Sequence, residues 1–248
     1  MLHAGLLRDK SATEAGEPDW PARFAALAAQ ARDPRLQKFY AAGAPAPQTP
    51  LQHAPLMALD VETTGLDPAT DGIVSLGLVP MQLDRILSSR SRHWIVRPRE
   101  RLAEESVTIH GITHSQVRHA PDLDEILGEV LEAIAGHVLV VHCRDIERRF
   151  LDAALQVRIG EGLQFPVIDT MELEARMHRV DERSWIDKLL RREQPRVSIR
   201  LADSRARYRL PRYRPHNAMT DALASAELLQ AQIAHHYTPT SPLRDVWQ

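Results

Sequence analysis

The run Leu59-Asp60-Val61-Glu62-Thr63-Thr64-Gly65-Leu66 closes an apolar stretch with two carboxylates one residue apart. Side chains alternate along a strand, so Asp60 and Glu62 share one face and Val61 points to the other. Like charges on one face repel, and a hard cation such as Mg²⁺ or Mn²⁺, which takes oxygen ligands, removes that repulsion. Alone, such a pair is more often solvated charge at a strand end. Two further acidic elements change the reading. Val138-Leu139-Val140-Val141 runs into Arg144-Asp145-Ile146-Glu147, which puts acids in the first turn of a helix. That turn lies over the carboxyl end of the sheet, where open α/β folds place ligands and the helix dipole favours negative charge. In His216-Asn217-Ala218-Met219-Thr220-Asp221-Ala222, the histidine falls in the loop before a helix and Asp221 about a turn inside it. One of these side chains can then approach a metal and the other a water beside it.

The elements that must hold these residues follow from hydrophobic period and punctuation. Leu56 to Val61, Ile73 to Met81 and His93 to Val96 read as three antiparallel strands, the first two joined through Gly65, Pro68 and Asp71-Gly72. A helix from Asp122 to Ala135, a buried strand Val138 to Val141, a helix Arg144 to Val157, a strand Val167 to Asp169 and a long final helix Asn217 to His236 follow. Antiparallel strands first and alternating strands and helices afterwards predict an α/β fold, a mixed five-stranded sheet with helices on both faces. Upstream, Asp19 and Pro21 start a helix expected to run to about Tyr40. Ala41 to Pro55, with Pro45, Pro47, Pro50, Pro55 and Gly43, reads as an extended linker or a strap across the surface. Trp20, Phe24, Leu27, Leu36, Phe39 and Tyr40 pack on the domain or form a homodimer contact, and packing is the simpler expectation.

Together the three acidic elements resemble the Exo I, Exo II and Exo III motifs of the DEDDh 3′–5′ exonucleases, a family that includes the epsilon subunit of bacterial DNA polymerase III, RNase T and oligoribonuclease. The resemblance covers about Leu56 to His236. Asp-x-Glu-Thr-Thr-Gly-Leu and His-Asn-Ala-x-x-Asp-Ala match in order and in placement, and Ile109-His110-Gly111-Ile112-Thr113 is similar to the family segment near the terminal nucleotide. It implies an RNase H-like fold and an exonuclease domain over residues 55–236, between a helical extension with a Pro-rich linker (1–54) and a short tail (237–248). The second motif departs from the family pattern His-Asn-x-x-Phe-Asp-x-x-Phe: aligned on His142 and Phe150, Cys143 stands at the Asn and Glu147 at the catalytic Asp. Asp145, the rival acid, lies about 200° round the helix from Glu147 and faces away.

The resemblance further implies that Asp60, Glu62 and Asp221 hold one ion, that Asp60 bridges to a second, that Glu147 acts mainly through the second ion's water shell, and that His216 takes a proton from the attacking water. It places Leu66 and Ile112 against the terminal base, the backbone at Thr63, Thr64 and Gly65 near the terminal 3′ hydroxyl, and His110 beside the nucleotide. The expected reaction is hydrolysis at the 3′ end of nucleic acid with two Mg²⁺ or Mn²⁺ ions, single-stranded DNA being favoured and RNA remaining an alternative. A binding module that has lost its chemistry through the altered second motif is the rival from another class.

Composition bounds these expectations. The chain has 248 residues, 44% hydrophobic, with a formal charge of −2. The charge is uneven: between Arg176 and Arg214 thirteen Lys or Arg face five Asp or Glu, an excess of eight positive charges that suits a phosphate-contacting surface or simply solvated helix faces. A single cysteine, Cys143, and the lack of an apolar leader-like run after Met1 point to a reducing cytoplasm, with no membrane partner expected. About a dozen residues follow His236, fewer than the polymerase-binding tail of an epsilon subunit, so a polymerase partner is not expected.

Overall fold

A computed structural model describes residues 18–100, 102, 104–179 and 197–248. One sheet organises the chain. Its central strand β1 (Leu56–Thr63) pairs antiparallel with β2 (Ile73–Gln82) and parallel with β5 (Val138–Val141). Beyond β2 lie the two-residue β3 (Arg85–Ile86) and β4 (Arg92–Ile95), and beyond β5 lies β6 (Val167–Asp169). The sheet therefore has six strands rather than five. The extra one, β3, is too short for alternation to reveal it.

Helices flank the sheet: α1 (Trp20–Gln30), α2 (Pro34–Ala41), α3 (Glu104–His110), α4 (His114–His119), α5 (Leu123–Ile134), α6 (Arg144–Ile159), α7 (Thr170–Arg179), α8 (Leu201–Arg207) and α9 (Ala218–His236). The single helix expected from Trp20 to Tyr40 is two. Asp33 recaps the chain by accepting from the Arg35 N–H, and Pro34 occupies the first turn, where its missing N–H costs nothing. Trp20, Phe24, Leu36, Phe39 and Tyr40 are all buried in the main core, so these residues serve packing within one chain.

The Pro-rich segment is a strap held from the other end of the chain. Leu51 and Gln52 donate to the carbonyls of Ser241 and Pro239, while Leu243 and Arg244 donate back to Thr49 and Pro47. The residues after α9 are part of the same core: Leu243, Val246 and Trp247 are buried, and Gln248 exchanges two backbone hydrogen bonds with Val167 on β6. No helix among the described residues is long and apolar enough to cross a membrane.

Of the basic stretch, Arg183, Lys188, Arg191, Arg192 and Arg196 lie outside the described residues. Within them, Arg205 and Arg207 are engaged with Glu227 and Glu174, whereas Arg200, Arg209, Arg212 and Arg214 are exposed.

Candidate active site

β1 and β5 run parallel, so the carboxyl end of β1 and the start of α6 meet at one edge of the sheet. Asp60 and Glu62 face the same side near the end of β1, just before a register shift between Glu62 and Thr63. α9 brings the third acid. One oxygen from each of Asp60, Glu62 and Asp221 lies within 4.8 Å of the others.

That closeness depends on a residue with no side chain. Gly77 on β2 pairs directly with Asp60, and a Cβ at position 77 would overlap the backbone of Ala218 and Met219 at the start of α9. The helix thus begins in contact with the sheet backbone, which is what lets Asp221 reach the β1 acids. A glycine inside an otherwise apolar strand is the signal that could have marked this close approach.

The carboxyls are held under electrostatic strain. Burial, and then the charges of Glu147, Glu62 and Asp221, push the Asp60 carboxyl well above its usual range. Burial and the charge of Asp221 raise Glu62 to about 7. Glu147, also buried, is pushed up chiefly by desolvation, with Asp169 and Asp145 adding repulsion, and its Oε2 has no hydrogen-bond partner among the described residues. Asp221 is raised by burial, with hydrogen bonds and the Arg205 charge opposing. A set of desolvated, mutually repelling carboxylates with an unpartnered buried oxygen fits the requirements of hard divalent cations. Asp145 is exposed, as its position round the helix implies.

His216 stands at the edge of this group. It is exposed, its φ of 67° is left-handed, and its backbone N–H donates to Asp221 Oδ2 at 2.7 Å. Asn217 donates to the same oxygen at 3.2 Å and caps α9 by accepting from the Thr220 N–H. A non-glycine residue in that conformation costs about 1–3 kcal/mol, which the surroundings must offset. His110 lies close enough for the charge of His216 to depress it further after burial has done so. Its Nδ1 accepts from the Ile112 N–H at 2.9 Å, so the neutral ring carries its proton on Nε2, which is buried without a partner among the described residues.

The remaining expected residues are placed unevenly. Leu66 is 82% exposed on the loop after β1. Ile112 is covered by Val74, Leu102 and Val117, while Ile109, 55% exposed, is the open apolar side chain of that segment. Thr64 is buried and internally occupied: its N–H donates to Gly72 O, and its hydroxyl bonds Asp71 and the Gly72 N–H. Thr63 Oγ1 donates to Gly65 O at 2.5 Å. Gly65 has no room for a Cβ, which would strike the Asp71 carboxylate. These bonds shape the loop that presents Leu66.

His142 of the second motif and Asp169 of β6 have structural work that sequence reasoning missed. His142 Nδ1 meets Thr170 Oγ1 at 2.8 Å and its Nε2 meets Ile199 O at 3.0 Å, and burial lowers its pKa to about 4. Asp169, at the end of β6, takes over capping of α6 by accepting from the Arg144 N–H, because Cys143 makes no side-chain cap.

The chain is similar to known proteins in sequence and in fold. Residues 57–229 match the family model described as Exonuclease, of the RNase T type. The chain is 29% identical over 181 residues to the DNA polymerase III subunit epsilon-like protein of Rhodobacter capsulatus, covering 73% of this chain and 24% of that one. It is 31% identical over 122 residues to the PolC-type DNA polymerase III of Thermotoga petrophila, covering 49% and 9%. The chain thus spans a quarter or less of these relatives' lengths. The fold is similar to the nuclease domain of 3′hExo bound to rAMP, with a TM-score of 0.60 at 17% identity over 73% of this chain and 92% of that one. It is also similar to Exonuclease X in complex with 5′ overhanging duplex DNA, with a TM-score of 0.51 at 21% identity over 76% and 97%.

Proposed function

The chain belongs to the DEDDh 3′–5′ exonuclease family, and from that premise we propose that it releases nucleoside monophosphates from the 3′ ends of nucleic acid, with DNA preferred. It would act as a nuclease that depends on divalent metal. The observation that carries it is the convergence of Asp60, Glu62 and Asp221 within 4.8 Å, beside the buried Glu147, whose Oε2 has no hydrogen-bond partner among the described residues.

Asp60, Glu62, Asp221 and Glu147 would hold two Mg²⁺ or Mn²⁺ ions. Bound there, such ions supply activation of water and neutralisation of charge developing at the phosphate. His216, exposed at the edge of the acidic group, accepts the proton released as water attacks phosphorus. Leu66 offers an open apolar surface for the terminal base, and the buried Nε2–H of His110 offers a donor to an oxygen entering the site. Ile112 supports that segment from beneath, and Thr63, Thr64 and Gly65 fix the loop at the strand end. DNA is favoured because the relatives' names are those of DNA polymerases and Exonuclease X was solved with duplex DNA. The rAMP held by 3′hExo makes RNA the substrate to test beside it.

The test uses 5′-labelled single-stranded DNA, duplex DNA and RNA with Mn²⁺ or Mg²⁺, and with chelator. A ladder shortening one nucleotide at a time from the 3′ end, lost with chelator and in Glu147→Gln, is the expected result. Internal cuts, or binding without cleavage of any strand, would overturn the reading and favour a binding module.

A further inference from the structure

The loop that delivers His216, residues 208–217, stands over a cavity of about 350 Å³ lined by Arg205, Leu210, Arg212, Tyr213, Pro215 and Asp221. The ends of the loop are held by backbone bonds of residues 208–210 to α8 and of His216 and Asn217 to Asp221, and its middle is held by one buried guanidinium. Arg205, on α8, has a side chain only 4% exposed. Its Nη1 donates to Ala224 O on α9 at 2.6 Å, and its Nη2 donates both to Pro211 O in the loop at 2.9 Å and to Glu227 Oε2 on α9 at 2.7 Å. The ring of Tyr213, also in the loop, lies with its centroid 4.7 Å from the guanidinium carbon, and its hydroxyl donates to Glu227 Oε1 at 2.8 Å. One planar fork therefore joins α8, the loop and the α9 turn that follows Asp221.

We propose that Arg205 is a positioning residue for the nuclease reaction: with Glu227 and Tyr213 it clamps the loop to α9 and so sets where the His216 imidazole stands relative to Asp221. The inference rests on the proton-accepting role proposed for His216. The left-handed backbone of His216 bonds Asp221 at one end of the loop, and the clamp fixes the loop's middle, so the imidazole is held from both sides. A lysine at 205 keeps the charge but is a point donor on a flexible stem, and it cannot serve acceptors on two elements in one plane.

The test is a double-mutant cycle on single-turnover cleavage of a 5′-labelled DNA strand with Mn²⁺ saturating, the full chain being used throughout. Arg205→Lys should lower the rate about tenfold to a hundredfold, with little change in KM, because misplacement of a proton acceptor acts on the chemical step. In a His216→Ala background the same substitution should change the rate less than about twofold, since the group it positions is gone. A merely structural role would slow both backgrounds alike. Tyr213→Phe removes one surface hydroxyl and serves where Arg205→Lys does not fold; it should show the same background dependence at about twofold to fivefold. Equal losses in both backgrounds, or no loss in either variant, overturn the clamp while leaving the nuclease reading intact. A wild-type chain that cleaves nothing overturns both.

Discussion

α6 and α9 both begin at the carboxyl edge of the sheet, both follow a residue with positive φ, and both bring an acid to the same place. Before α6 stands Cys143 at φ 139°, and before α9, one residue ahead of its cap, stands His216 at φ 67°. From there they diverge. The α9 start is capped by its own Asn217, and its acid accepts two backbone N–H groups. The α6 start has no side-chain cap, borrows Asp169 instead, and leaves Glu147 with an unpartnered oxygen. The histidines diverge in the same sense: both nitrogens of His142 are engaged in the core, whereas His216 is exposed. A helix start that is fully bonded can present an exposed base at a defined place. One that is under-bonded and buried can present only charge seeking a counter-ion.

The two histidines should differ most. His216→Ala should slow cleavage by about 10²- to 10⁴-fold, the usual worth of a general base, with urea stability nearly unchanged. His142→Ala should do the reverse, costing about 2–4 kcal/mol in urea denaturation by removing a buried side chain and its bonds to Thr170 and the Ile199 carbonyl. Next is the close approach that brings the two helix starts together. Gly77→Ala should push α9 off the sheet, lowering the rate about a hundredfold and the stability by about 1–3 kcal/mol, read by single-turnover kinetics and thermal melting.

Charge strain gives a smaller effect with a defined sign. The folded-state pKa of Glu62 is raised from 4.5 to about 7, so in metal-free protein the unfolded chain ionises first as pH rises. Stability should therefore fall between about pH 4.5 and 7, and Glu62→Gln should remove that part of the slope, worth up to about 3 kcal/mol. Saturating Mn²⁺ should raise the wild-type melting temperature and leave Glu62→Gln less affected. The smallest effect sharpens the contrast in capping: Cys143→Asn should supply α6 with the missing cap and add up to about 1 kcal/mol in urea denaturation, with little change in rate.

Much of this was legible in the residues. The bounds of β5 and β6 follow from short apolar runs between punctuation, and the shared face of Asp60 and Glu62 follows from strand alternation. The preference for Glu147 over Asp145 was a matter of helical angle, and Glu147 is the buried one. The break at Asp33-Pro34 carried a readable cap signal that the apolar pattern around it masked. Other features depend on contacts distant in sequence. The strap of residues 47–52 is fixed by a segment nearly two hundred residues away, and Gly77 matters because of what packs over it. Arg205 read as one more charge in a basic stretch, since nothing local shows that its acceptors lie on α9 and in the next loop. Helices α3 and α4 are too short to show a helical period.

The most direct test of the division between the two helix starts is single-turnover cleavage with Mn²⁺ saturating, wild type beside His216→Ala and His142→Ala, each variant also unfolded in urea. His216→Ala should be slow at nearly unchanged stability, and His142→Ala should be destabilised yet, where folded, cleave nearly as fast as wild type. A His216→Ala rate close to that of wild type, or the same loss of stability in both variants, would contradict the account.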